Sequence, residues 1–210
     1  MRLVLASASP RRAELLTAAG FSFELLAVDV DERLAADEAP SAYVRRLAAE
    51  KSSRAMARLL AAAPTGADGP RSLRETLVLG ADTAVVVDGR VLGKPGDDGE
   101  ARAMLAQLAG RRHEVMTGVS LRSMTDELHV VETTAVWFAP LGADEIAWYV
   151  ASGEGRDKAG AYAIQGLAAR FIPRIEGSYS NVVGLPVARV HELVKRLPAG
   201  SVSGPLGHGA

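Results

Sequence analysis

The chain has 210 residues, 48% of them hydrophobic and 23% charged, with a formal net charge of −1. That is enough apolar material for one domain, or for two small lobes sharing a cleft, and the near-neutral balance argues against a general nucleic-acid binder. The absence of cysteine excludes a disulfide frame, a thiol nucleophile and a cysteine-ligated metal, and no apolar run approaches membrane-spanning length. No basic start with a long apolar stretch marks a signal peptide, so a cytoplasmic location is expected.

In chain order, Leu3-Val4-Leu5-Ala6 reads as a strand, and Ser9-Pro10 opens a helix whose apolar face ends at Gly20. Ser9 is placed to cap that helix. Arg11 and Arg12 then fall in its first turn, where the helix dipole disfavours each cation by roughly 0.3–1 kcal/mol. Either both side chains snorkel into water or an anion arrives there, because a helix N-terminus and arginine both suit phosphate. Phe21 to Leu26 reads as a strand leading to the acidic Asp29-Val30-Asp31-Glu32, and a long helix is predicted from Ser41 to Ala62. Pro64 to Pro70 is a loop without visible chemistry.

Leu77 to Asp82 reads as a buried strand ending in an acid, and Ala84–Val87, Asp88-Gly89 and Val91-Leu92 as a hairpin. Asp97 or Asp98 caps a helix carrying Ala101, Met104, Leu105 and Leu108. Strands follow at His113–Arg122 and Leu128–Phe138, then a helix from Asp144 to Ala151. A Gly-rich stretch from Gly153 to Gly166, a strand at Phe171–Ile175, a polar turn at Gly177–Asn181 and a last amphipathic helix over Val187–Leu197 complete the pattern. The Gly-, Ser- and Pro-rich tail from Pro198 reads as disordered. The alternation of strands and helices predicts an α/β class.

Several side chains break the apolar pattern. Lys51 lies on the same helical face as Val44, Leu47, Ala48 and Ala55, so it either snorkels outward or meets an anion. Asp82 is either a capping aspartate or, at the carboxyl end of a strand, a group facing a ligand crevice. There it could hold a divalent cation and deprotonate a water. Asp31 and Glu32 offer further oxygen ligands. Lys94 is held between Gly93 and Pro95. Gln165 could read a base edge, since its amide both donates and accepts. His113, His129, His191 and His208 show no metal-ligand spacing, and there is no nucleophilic-serine elbow or Walker motif.

Taken in order, Ser7-Ala8-Ser9-Pro10-Arg11-Arg12, Asp31-Glu32, Tyr43 to Lys51, Gly80-Ala81-Asp82-Thr83 and Gly93-Lys94-Pro95 resemble the Maf family of nucleoside triphosphate pyrophosphatases. Thr117-Gly118-Val119, Asp157-Lys158-Ala159-Gly160 and the segment from Gly177 to Pro186 continue the likeness, which spans Leu3 to Leu197. The resemblance implies a single Maf-like domain over 1–197. Its fold would be two-lobed and related to inosine triphosphatase, with a mixed central sheet and an interlobe cleft, often in homodimers. It also implies hydrolysis of a nucleoside triphosphate to monophosphate and pyrophosphate with a divalent cation such as magnesium, manganese or cobalt. Carried over by position, Asp82 is the catalytic base, with Lys51 and Lys94 beside it. Ser7 and Arg12 join the two lysines in gripping the triphosphate, and Glu32 joins Asp82 at the metal. Arg11, Thr83 and Gln165 sit where base choice is tuned. The Tyr162–Gly166 and Gly177–Tyr179 segments resemble the dTTP/UTP branch rather than the 7-methyl-GTP branch. The loop from Ala63 to Glu75 and the tail after Pro198 depart from the pattern but touch no motif. The expected substrates are dTTP and UTP, with modified pyrimidine nucleotides as an extension of that class. A nucleotide-sensing regulator of septum formation, acting through a partner, and a 7-methyl-GTP-type substrate preference are the alternative readings.

Overall fold

A computed structural model of the protein describes residues 1–63 and 73–197. The loop read at Pro64–Pro70 and the tail from Pro198 lie outside the described residues. Seven strands form one mixed sheet in the order β2-β1-β3-β5-β6-β7, with β4 also paired to β3. They are β1 (Arg2–Ala6), β2 (Glu24–Leu25), β3 (Thr76–Val87), β4 (Arg90–Leu92), β5 (Arg112–Arg122), β6 (Glu127–Trp137) and β7 (Arg174–Glu176). Around them lie helices α1 (Pro10–Ala18), α2 (Pro40–Ala61), α3 (Asp98–Leu108), α4 (Ala143–Ala151), α5 (Tyr179–Val183) and α6 (Val187–Arg196). β1 runs parallel to β2 and β3, and the remaining pairings are antiparallel. No helix among the described residues is long and apolar enough to cross a membrane.

β3 organises the molecule because it belongs to two cores. Side chains alternate along a strand, so odd and even positions face opposite sides of the sheet. On the odd face Leu77, Leu79 and Ala81 join one core with Leu3, Leu5 and Leu121. Further along, Val85 and Val87 join another with Leu105, Val136 and Tyr149. On the even face Val78 packs with Val4, Ala6 and Met56, whereas Ala84 and Val86 pack with Val44. Asp82 and Thr83 fall between these clusters, one on each face. The ladder changes partner at the same place: β3 pairs with β1 up to Gly80 and with β4 only from Val85. β5 alone continues across the gap, from Val78 to Val86. A cleft opens where the strand is polar on both faces and paired on one side only.

Helix α2 crosses this region with almost no clearance. A Cβ on Gly80 would lie 2.2 Å from the Ala48 carbonyl oxygen, and one on Gly118 would lie 2.2 Å from the Val44 carbonyl oxygen. Gly118 pairs with Asp82 across the β3–β5 ladder. The two glycines therefore let the backbone of α2 rest directly on the sheet beside the aspartate, which is the meaning of glycine inside a buried strand.

The structure shifts several sequence boundaries. The strand expected to end at Asp82 runs on to Val87, because β5 supplies an unbroken partner. The strand expected from Phe21 is only Glu24–Leu25; the Phe21 amide is consumed at the end of α1, donating to the Leu16 carbonyl at 3.0 Å. Phe171 ends a 3₁₀ turn (Leu167–Phe171), and the strand starts only at Arg174, after Pro173, which has no amide to donate. The polar turn around Tyr179 is a short helix, capped by the Ser178 hydroxyl, which accepts from the Asn181 amide at 3.3 Å.

Gly118→Ala should destabilise the fold by roughly 3 kcal/mol or more, since the new methyl meets rigid backbone rather than a movable side chain. Equilibrium denaturation measures this, and a loss below about 1 kcal/mol would show that α2 has slack to lift away.

Candidate active site

β1 ends at Ala6 beside Gly80 of β3, and the chain passes through Ser7 into α1. Ser9 occupies the N-cap position, but its side chain makes no capping hydrogen bond, and the first turn of α1 carries no acidic residue. The expected serine cap is therefore absent, and the positive end of the helix is left for another anion. Arg12 turns inward. Its Nε donates to the Gly184 carbonyl at 2.9 Å, and its terminal nitrogens donate to Ser7 Oγ and Thr83 Oγ1, each at 3.1 Å. These acceptors are all neutral, so among the described residues the buried guanidinium has no carboxylate hydrogen-bonded to it. Burial lowers its pKa; the Asp82 charge opposes that effect and the Arg11 charge adds to it. Arginine nevertheless stays charged.

On the other face of the sheet, α2 delivers Lys51. Its Nζ donates to Asp82 Oδ1 at 2.6 Å and to Glu32 Oε1 at 2.8 Å. The lysine that interrupts the apolar stripe thus meets anions rather than snorkelling into water. The lysine and aspartate side chains are 10% and 11% exposed. At that burial, removing one partner would leave a charge in poor solvent, typically a loss of about 3–5 kcal/mol. Asp82 Oδ2 makes no hydrogen bond among the described residues, so one carboxylate oxygen is held and the other is free. Burial alone would raise the pKa of Glu32. The hydrogen bond and charge of Lys51, with the charges of Lys94 and Arg12, outweigh burial and hold it low.

Glu32 is on a loop without regular structure, yet three consecutive carbonyls there are secured by α2. The Tyr43 hydroxyl donates to the carbonyl of Glu32 at 2.9 Å. Arg46 donates to the carbonyls of Asp31 at 3.4 Å and Arg33 at 3.1 Å while bridging Glu38 and Glu50. Burial, with the charges of Asp82 and Glu32, pushes the Tyr43 phenol up to about 12, so it remains a donor. The sequence reading assigned no role to this clamp. Its only signal is the spacing of Tyr43 and Arg46, which sets them on one side of successive turns.

Every residue that the family resemblance placed in the site lines one cleft of about 760 Å³. Asp31, the further oxygen ligand expected from the sequence, does not line it; its carboxylate pairs with Arg33 at 2.6 Å instead. Lys94 is exposed at its edge, with no hydrogen bond or ion pair among the described residues. Arg11 meets Asp157 at 3.3 Å, and Asp157 also accepts from Lys158 at 2.5 Å. Gln165 is exposed on the wall and its amide is unpaired among the described residues. Thr83 Oγ1 lies 2.9 Å from Thr117 Oγ1, which fixes the hydroxyl facing Arg12. Among the described residues no group of three or more His, Asp or Glu side chains could hold a metal alone. The donor set still fits a hard divalent cation. Magnesium-like ions commonly take one or two carboxylates and complete their shell with substrate phosphates and water. Asp82 and Glu32, with an oxygen each outside the Lys51 bridge, supply that pair.

A mixed α/β sheet whose cleft holds a buried carboxylate beside a buried arginine and an uncapped helix N-terminus defines a protein with a site suited to an anion. The family model described as "Maf-like protein" matches residues 2–197, and the chain belongs to that family. A protein of Anaeromyxobacter sp. (strain Fw109-5) named dTTP/UTP pyrophosphatase is 48% identical, covering 97% of this chain and 95% of its own. One of the same name from Vibrio parahaemolyticus is 48% identical, covering 93% and 96%. The fold is shared with the Staphylococcus aureus Ham1 protein at 15% identity and a TM-score of 0.51, over 93% of this chain and 99% of that one.

Arg46→Ala should free the loop around Glu32. Amide exchange across residues 31–38 is expected to accelerate by about tenfold, with the sheet unchanged. Unaltered exchange would mean that Tyr43 alone holds the segment.

Proposed function

We propose that the chain hydrolyses dTTP and UTP to the monophosphate and pyrophosphate in this cleft, as a homodimer of single-domain subunits (1–197) in the cytoplasm. The observation that carries the reading is Asp82: buried, held through one oxygen by Lys51, and free at the other. That free Oδ2 is the group to accept a proton from a water attacking the nucleotide, while Lys51 keeps the carboxylate oriented. Arg12 and the open N-terminus of α1 offer donors to the phosphates, and Ser7 fixes one arm of the guanidinium. Lys94 adds an exposed ammonium where charge builds on the leaving pyrophosphate. Glu32 and Asp82 would hold a divalent cation, magnesium, manganese or cobalt. When bound, it supplies charge neutralisation at the phosphate oxygens and a more acidic water. The names of the relatives support the substrate class. The Gln165 amide, unpaired among the described residues, and the Arg11–Asp157 pair line the same cleft and are the groups for choosing the base. No feature of the cleft favours the sensing alternative, which could dispense with a held carboxylate.

Asp82→Asn keeps an oxygen for Lys51 but cannot take a proton. Release of pyrophosphate from dTTP with magnesium or manganese should fall by about 10²–10⁴-fold, while nucleotide binding stays measurable. Turnover close to wild type would remove Asp82 from this role, and binding without turnover in the wild type would favour a sensor. Gln165→Glu replaces a donor–acceptor amide with an acceptor alone. The preference for dTTP and UTP over other triphosphates should then drop by about tenfold or more. An unchanged preference would place base selection elsewhere on the wall.

A further inference from the structure

A glutamine amide is not by itself selective. Uracil and thymine present an acceptor at C4=O beside the N3–H donor, which an amide can match with two hydrogen bonds. The same amide can pair with adenine through N6 and N7. Selection therefore depends on where the amide is held. Gln165 sits on a segment with neither helix nor ladder to hold it, between the 3₁₀ turns Ala159–Ala161 and Leu167–Phe171.

One carboxylate holds that segment. The Gly166 amide donates to the Ala163 carbonyl at 3.2 Å, closing a turn with Ile164 and Gln165 at its centre. Ile164 points into the core and Gln165 lines the cleft. Before the turn, the Ala163 amide donates to Tyr149 Oη at 3.1 Å. After it, the Leu167 amide donates to Glu154 Oε1 at 2.8 Å and the Ala168 amide to Oε2 at 3.4 Å. Tyr149 Oη in turn donates to Glu154 Oε2 at 2.6 Å. Donors on both sides of Gln165 thus converge on Glu154, directly or through a fully buried tyrosine. Gly166 makes room for this: a Cβ there would fall 1.9 Å from Glu154 Oε1.

We propose that Glu154, with Tyr149, is the positioning residue for nucleobase selection: it fixes the turn that presents the Gln165 amide to a 2,4-dioxopyrimidine edge. The inference rests on the pyrophosphatase reading. It places selection in the backbone anchor as well as in the glutamine. Glu154 has no part in the chemistry at Asp82, which stands on β3 and α2.

Steady-state kinetics on the full chain, with dTTP, UTP, CTP, ATP and GTP, test this in Glu154→Ala, Glu154→Gln, Gly166→Ala and Tyr149→Phe. Glu154→Ala and Gly166→Ala, which remove and displace the same carboxylate, should each cut the preference for dTTP and UTP by about tenfold. The change should come through a higher KM for those two nucleotides, with kcat within about twofold of wild type. Glu154→Gln, which keeps one acceptor oxygen, should recover part of the preference, and Tyr149→Phe should lose part of it. If Glu154→Ala does not fold, Gly166→Ala carries the test with the carboxylate still in the chain. Preference unchanged in folded, active variants would overturn the inference alone. An equal fall of kcat/KM for every nucleotide would overturn it too, leaving Glu154 a purely structural role. A wild-type protein that turns over neither dTTP nor UTP would overturn the functional reading, and this inference with it.

Discussion

The closeness of α2 to the sheet is the constraint on which the rest depends. Gly80 and Gly118 remove the side chains that would hold the helix off, and the contact runs backbone to backbone. Only at that distance can Lys51 reach Asp82 across 2.6 Å while its stem stays in an apolar face. The same helix then secures the Glu32 loop through Tyr43 and Arg46. One helix docked on two glycines therefore sets the carboxylate, its counter-charge and the second acidic group together. A buried ion pair is weak evidence for stability, because desolvation offsets much of the attraction. Its use here is orientation: it ties down one oxygen of Asp82 and leaves the other open.

The two buried cations of the cleft are treated differently, and the difference is informative. Among the described residues Lys51 bonds two carboxylates, whereas Arg12 bonds only a carbonyl and two hydroxyls. Those neutral acceptors satisfy the geometry of the guanidinium without cancelling its charge. Arg12 is thus fixed in place and still electrostatically hungry, next to an uncapped helix N-terminus. Lys51, by contrast, is already neutralised and belongs to the chemistry of Asp82. The interruption of the β3 ladder between Gly80 and Val85 lets both faces of the sheet contribute to one opening.

What could be read in the sequence followed from local pattern breaks. Two arginines in a first helical turn, a lysine in an apolar stripe and an acid in a hydrophobic strand are each anomalous within a few residues of chain. All of them line the cleft. The glycines of β3 and β5 were visible as motif residues, but what they clear is the backbone of α2 at Ala48 and Val44, far from them in the chain. The end of the strand at Asp82 was misplaced because hydropathy registers the polar break and not the neighbouring β5 ladder that carries the backbone through it. The strand expected from Phe21 failed for a similar reason: its first amide was already used by α1. The Glu154 anchor left no readable trace, since a glutamate near a glycine-rich stretch looks like any solvated loop residue.

The two ends of the cleft are built from different material, and this separates their roles. Around Asp82, Thr83, Arg12 and Lys51 are mounted on β3, α1 and α2, and the Glu32 loop is tied to α2 by several hydrogen bonds, so their positions follow from the core. Around Gln165 the chain has no ladder and no long helix, and its donors gather on one carboxylate that a single methyl at Gly166 would displace. Rigid elements hold reacting groups more accurately than loops do, whereas loops change without disturbing the core. The consequence is that the triphosphate end can stay fixed while the base end is retuned. Changes of substrate within this fold should therefore collect in the segment from Glu154 to Ala168 and at Arg11, which pairs with Asp157 of that segment, and changes at Lys51, Asp82 or the two glycines beneath α2 should abolish chemistry or folding without redirecting it.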